Sequence, residues 1–185
     1  MMTEISLNIL DVAENSTRAE ATLVEITVET DTMKDTLSVI IKDNGIGMTK
    51  EQVASVEDPF FTTRTTRKVG LGVPFFKLAA LMTGGSFSID SVLGKGTTVT
   101  AVFGLSHIDR MPLGDITSTI HTLITFHTQT DFVYTYRYDD KSFTLDTREM
   151  KEILGDIPFD VPEVSNYIKE YLIENKSEAD GGISY

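Results

Sequence analysis

"DNGIGM", Asp43 to Met48, follows directly on the run "TLSVIIKD". That run has the buried character of a strand, so the hexapeptide marks where a strand leaves its sheet. Asn-Gly is a turn signal, and alone the stretch reads as a plain strand-to-helix turn. An Asp at the mouth of a sheet has a second use. Its carboxylate accepts a hydrogen bond from adenine's exocyclic amine, whereas guanine presents a carbonyl there. Gly45 and Gly47, with no Cβ, let the backbone approach a flat base closely.

Working outward, "LVEITVE" puts Val24, Ile26 and Val28 on one face and reads as a first strand, turned by "DTMKD" into the strand that ends at Asp43. Upstream, residues 4–19 carry Ile5, Ile9, Val12 and Ala13 as one apolar stripe, which predicts a helix. Downstream, "TKEQVASV" opens a helix at Thr49, with Gln52 completing a capping box. A second helix over 71–83 ends at Gly84-Gly85. "SFSIDS" and "GTTVTAVFGL" form a hairpin around "VLGKG". The order α-β-β-α-α-β-β predicts a two-layer α+β sandwich, helices on one face of a mixed, mostly antiparallel sheet.

Two further features carry chemistry. On the first helix, Asn8, Asp11, Asn15 and Arg18 are three, four and three residues apart, so they share one side. A bland solvated face accounts for them when they are taken alone. Asn also suits Mg²⁺, which takes hard oxygen ligands and keeps waters and phosphate oxygens, and Arg18 suits a phosphate oxygen. In "RTTRKVGLGVPFFK", Arg64 to Lys77, the basic residues Arg64, Arg67 and Lys68 precede Gly70-Leu71-Gly72 at a helix start. A helix N-terminus offers free N–H groups and a positive dipole end to an anion.

Composition bounds the rest. The chain has 185 residues, no cysteine and a formal net charge of -12. Thiolate chemistry and disulfides are excluded, and a broad basic nucleic-acid face is not expected. No segment approaches the roughly 18 apolar residues of a membrane span, so no membrane partner and a cytoplasmic location are expected. Nine of the thirteen glycines fall between Gly45 and Gly104. A boundary falls near "SHIDRMPLGD", dividing residues 1–106 from a small α+β appendage over 107–178. The stretch "NKSEADGGISY" reads as a frayed tail, with 179–185 set apart as flexible.

Read in order, "LDVAENSTRAEAT", "DNGIGM", "DPFFTTR" and "GLGVPFFKLAALMTGGSFSIDSVLGKGTTVTAVF" resemble the N box, first glycine box, F box and second glycine region of the GHKL ATP-binding superfamily, with its Bergerat fold. The resemblance spans about residues 4–105 and leans toward bacterial histidine kinases in stand-alone form. It implies ATP and Mg²⁺ as ligands. Asn15 would bind Mg²⁺, Asp43 adenine, and Arg18 a phosphate. Gly45, Gly47 and Met48 would shape the base pocket, and Thr97 would support it. Gly70, Leu71, Gly72 and Val73 would cradle the phosphates under a lid bearing Arg67 and Lys68. Asp11 stands where the family usually has a catalytic Glu.

"HIDRMPL", from His107, is similar to the pattern around a kinase's phosphorylated histidine, but it follows the pocket and reads as the exit loop of the last strand. His121 and His127 read as part of an ordinary helix. The remainder predicts helix, hairpin, helix, helix, with "DFVYTYRY" and "KSFTLDT" around "DDK", and a last helix begun by Pro162. No catalytic constellation appears there. Two functions stay open: a kinase passing the γ-phosphate to a His or Ser of a partner protein in bacterial signalling, and a nucleotide-gated binding module with little catalysis. A partner tied to hydrogenase or redox metabolism is the expectation the stand-alone form suggests.

Overall fold

A computed structural model gives the architecture and describes residues 2–57 and 72–183. In these residues twelve elements run in the order α1 (Ile5–Arg18), β1 (Leu23–Asp31), β2 (Thr36–Asp43), α2 (Lys50–Glu57), α3 (Gly72–Met82), β3 (Ser86–Val92), β4 (Gly96–Gly104), α4 (Ile116–Phe126), β5 (Asp131–Tyr138), β6 (Lys141–Asp146), α5 (Thr147–Leu154) and α6 (Pro162–Asp180). The fold is the two-layer α+β sandwich that the alternating periods imply.

Among the described residues, all six strands join one sheet in the order β3-β4-β2-β1-β5-β6. Every neighbouring pair is antiparallel except β1 and β5, which run parallel in register from Leu23↔Asp131 to Thr30↔Tyr138. The period-2 pattern explains which face is covered. Ile26 and Val28 of β1 sit opposite Ile41 and Val39 of β2; Leu37, Val39 and Ile41 of β2 sit opposite Phe103, Ala101 and Val99 of β4; and on the other side Val24, Ile26 and Val28 pair with Phe132, Tyr134 and Tyr136 of β5. All of them are buried in one continuous core.

The helices cover that face as a single layer. α3 packs on α1, α1 on α4, and α4 on α6. The apolar stripe of α1, Ile5, Ile9, Val12 and Ala13, points into the core, as the 3.6-residue period requires. Its first turn is tied to the segment before α4: Ile5 N–H donates to the Pro112 carbonyl at 2.9 Å and Ser6 N–H to that of Leu113 at 2.9 Å. The capping box of α2 is formed reciprocally, Thr49 N–H to Gln52 Oε1 at 2.8 Å and Gln52 N–H to Thr49 Oγ1 at 3.3 Å.

Two departures from the sequence reading have local causes. Asn8 does not share the open side of α1. It is fully buried, with Nδ2 donating to the Glu4 carbonyl at 3.3 Å, because the helical layer closes over the first two turns. Helix α6 runs on to Asp180, six residues into the stretch that reads as a tail. Asp180 is buried and accepts from the Tyr136 hydroxyl at 2.8 Å and from Lys176 at 2.6 Å, so a tertiary anchor extends the helix. Gly181 then ends it in the left-handed conformation at φ 69°.

Candidate functional site

The C-terminal end of β2, the last turns of α1, the start of α3 and the turn into β4 converge at one place. Asp43 is at its floor. The Ser16 hydroxyl donates to Oδ2 at 2.6 Å, while Gly45 N–H and Thr97 N–H donate to Oδ1 at 2.9 and 3.3 Å. Three elements thus fix one half-buried carboxylate. An ionised carboxylate has about four acceptor positions, and these three donors leave one, on Oδ2.

The turn after Asp43 is built by close backbone approach. Asn44 holds the chain entering β1: its Oδ1 accepts from Thr22 N–H at 2.9 Å and Leu23 N–H at 3.0 Å. Ile46 N–H donates to the Ala19 carbonyl at 2.9 Å, and a Cβ on Gly45 would lie 2.6 Å from that same oxygen. Gly47 has φ +68°, and its Cβ would meet the Val92 carbonyl at 2.1 Å. Met48 contributes through its backbone, N–H to Ser91 Oγ at 2.8 Å. Ser91 in turn shares a hydrogen bond with the Thr97 hydroxyl at 2.8 Å. The β2–α2 turn and the β3–β4 hairpin are therefore locked together beside Asp43.

Above this floor, Asp11 and Gly72 meet. A Cβ on Gly72 would lie 1.6 Å from Asp11 Oδ2, so only glycine lets α3 begin against that carboxylate. Oδ2 is buried without a hydrogen-bond partner among the described residues. Burial pushes the Asp11 carboxyl above the usual carboxylate range; Arg18 opposes this and Glu14 adds to it. Val73 is buried, and Pro74 has no N–H to leave unpaired in the first turn of α3.

Asn15 and Arg18 occupy the more open end. Arg18 Nη1 donates to Asn15 Oδ1 at 3.2 Å and its Nη2 pairs with Glu14 at 2.8 Å. The Arg18 side chain is 61% exposed, and such surface pairs are worth ~1 kcal/mol or less. A ligand that offers the guanidinium more negative charge can therefore draw it away and free the Asn15 oxygen. No group of three or more His, Asp or Glu side chains is placed to hold a metal among the described residues. The donor set fits a cation held by one neutral oxygen together with phosphate and water, the manner natural to Mg²⁺.

The structure thus brings Asp11, Asn15, Arg18, Asp43, Gly45, Gly47, Met48, Gly72, Val73 and Thr97 to one end of the sandwich. Arg64, Arg67, Lys68, Gly70 and Leu71, with the segment "DPFFTTR", lie outside the described residues. Ser16, Asn44 and Ser91 escape the sequence reading. A polar side chain in phase with Val12 on the buried side of α1 was the available signal for Ser16. His107 lies in the loop leaving β4, and His121, on α4, bonds Ser165 of α6 at 2.8 Å.

A sheet-end carboxylate, a glycine-shaped turn and a glycine helix start against an Asp define a nucleotide-pocket class of two-layer sandwich. The model of the family described as histidine kinase-, DNA gyrase B-, and HSP90-like ATPase matches residues 1–107, and the chain belongs to that family. Nucleotide binding of the ATP type follows from this membership at the level of the family.

Among curated relatives, the chain is 33% identical over 113 residues to the "Non-motile and phage-resistance protein" of Caulobacter vibrioides, covering 58% of this chain and 13% of that one. It is 34% identical over 82 residues to "Sensor histidine kinase WalK" of Bacillus subtilis, covering 42% of this chain and 13% of the relative. The matches therefore span under a fifth of these relatives' length. A solved structure, that of the N-terminal domain of a DNA repair protein, superposes with TM-score 0.53 at 17% identity, over 78% of this chain and 53% of that one; it supports the fold. No helix among the described residues is long and apolar enough to cross a membrane.

Proposed function

We propose that the chain binds ATP with Mg²⁺ and passes the γ-phosphate to a His or Ser of a partner protein in bacterial signalling. The observation that carries this reading is the orphaned Asp11 oxygen against Gly72, one helical turn before Asn15. A buried acceptor without a donor is costly, and it is placed where a phosphate cradle begins. Adenine would give its amine to the open acceptor of Asp43. N–H groups at the start of α3 would hold phosphate oxygens. Asn15 would be the protein ligand of Mg²⁺, which would supply charge neutralisation at the phosphates.

In the transfer, the partner's nucleophile forms a bond to the γ-phosphorus while the bond to the leaving ADP oxygen breaks. Asp11 accepts the proton that the nucleophile loses. Its raised proton affinity brings it nearer the range of a useful base. The similarity to "Sensor histidine kinase WalK" favours a protein acceptor, and a partner linked to hydrogenase or redox metabolism remains part of the proposal. The second reading is a nucleotide-gated module. It is favoured by Asp11 itself, which is one methylene shorter than Glu and reaches less far.

Asp11→Asn separates the two. ADP affinity stays within about threefold, while transfer of label from γ-labelled ATP to protein in a cell extract is lost. Unchanged transfer removes Asp11 as the base. Absence of transfer in the wild type, with partner retained only on a non-hydrolysable analogue, establishes the gated module. The same substitution raises the melting temperature at pH 7. The folded-state value of Asp11 lies above its unfolded value of 3.8, so the wild type loses stability as pH rises through the folded value. The gain in the variant disappears below the unfolded value, where both forms are neutral.

A further inference from the structure

We propose that Ser16 is the positioning residue that sets how strongly the site prefers a purine carrying a 6-amino group. This rests on the reading of Asp43 as the adenine acceptor. Ser16 lies on α1, is 4% exposed, and follows Asn15 directly. Its hydroxyl has two acceptors in reach: the Val12 carbonyl at 3.4 Å, one turn back, and Asp43 Oδ2 at 2.6 Å. The second is by far the better bond, because a hydroxyl on a carboxylate makes a short, charge-assisted contact of about 2.5–2.7 Å.

The division of labour between the two carboxylate oxygens gives this contact its consequence. Oδ1 is filled by Gly45 N–H and Thr97 N–H, both fixed by the turn and the β2–β4 ladder. Among the described residues, Oδ2 receives only Ser16. The remaining acceptor position lies on the oxygen that Ser16 holds, so the direction of the Ser16 bond fixes where that position points. Without it, the carboxylate keeps two donors on one oxygen and gains freedom to turn the other. Ser16 also delivers this control from the helix that carries Asn15. The base acceptor and the phosphate end of the site are thereby referred to one rigid element.

The test compares ADP with purine riboside 5′-diphosphate, which is identical except for hydrogen in place of the 6-amino group. Calorimetric titration of the wild type gives the preference for ADP. In Ser16→Ala that preference falls about tenfold, the size expected for one hydrogen bond to a charged group, while affinity for the analogue changes less than twofold. Ser16→Cys keeps a donor, though a weaker one, and gives a preference in between. A helix-neutral role for Ser16 would lower both affinities equally, and that outcome overturns the inference, as does an unchanged preference in Ser16→Ala. A wild type that does not prefer ADP at all overturns the adenine reading of Asp43 and this inference together. A wild type that prefers ADP, with the same preference in the variant, overturns the inference alone.

Discussion

A chain ended after Ser106 does not melt cooperatively and precipitates, whereas the full chain gives one transition. The family match stops at residue 107, but the sheet does not. Removing the rest takes β5 from the edge of β1, where eight residues pair in parallel, and leaves that edge open to association between copies. It also takes α4 from α1. Ile116, Ile120, Leu123, Ile124, Phe132, Tyr134 and Tyr136 are all buried in the common core. At about 1.5–3 kcal/mol for each fully buried side chain, their loss is on the order of 10 kcal/mol, comparable with the whole stability of a domain. Scanning calorimetry of fragment and full chain measures this. A soluble fragment with a sharp transition and full ADP affinity would make residues 107–183 an accessory to an independent pocket.

The second large effect is at Gly96. Its φ is +116°, a conformation that side-chain-bearing residues rarely adopt, and a Cβ there would lie 2.0 Å from the Asp43 carbonyl and 2.9 Å from Asn44 Cα. Backbone cannot step aside as the end of a flexible side chain can. Gly96→Ala should cost about 3 kcal/mol or more through backbone strain and overpacking together. The displacement falls on the residue proposed to receive the base, so ADP affinity drops at least about tenfold even where the variant remains folded. Denaturant titration beside calorimetric binding separates the two losses. Gly94→Ala is the control, since a Cβ there meets nothing within 4 Å although its φ is also positive, at +78°. It should cost only the conformational part, ~1 kcal/mol, and leave binding intact.

The two periods were legible in the chain because each side chain reports its own face. Val24, Ile26 and Val28 mark a half-buried strand, Ile5, Ile9 and Val12 a helix stripe, and Thr49 with Gln52 a cap. The β5–β6 hairpin is local in the same sense, its register closing at Tyr138↔Lys141. What lies far apart in sequence leaves no such mark. Nothing in Leu23–Thr30 says that its parallel neighbour is Asp131–Tyr138, because strand partners a hundred residues away are chosen by the packed whole. The end of α6 escaped for the same reason, since its anchor, Tyr136, is 44 residues from Asp180.

At the site, the motifs pointed to the glycine boxes and to Asp11, Asn15 and Asp43, which the fold brings to one end of the sandwich, and their chemistry is the proposal above. Their supports could not be read from motif. Ser16 and Ser91 are ordinary polar residues until the fold sets one against Asp43 and the other between Met48 and Thr97. Asn8, on the expected open side by spacing, is buried because neighbouring helices cover the early turns of α1. Helical spacing tells which residues share a side. Only the layer of helices tells how much of that side stays open.

The most direct test of the account is calorimetric titration of the full chain with ADP and with GDP in the presence of Mg²⁺. Asp43 has one acceptor position open and no donor to give. In the proposed binding mode adenine's amine would fill it, whereas guanine's carbonyl would leave two acceptors facing each other. The lost bond and the unpaired acceptor together should favour ADP by about 1–3 kcal/mol, roughly five- to 150-fold in affinity. That preference is the predicted result; equal affinities for the two nucleotides would contradict the assignment of Asp43 and of the pocket built around it.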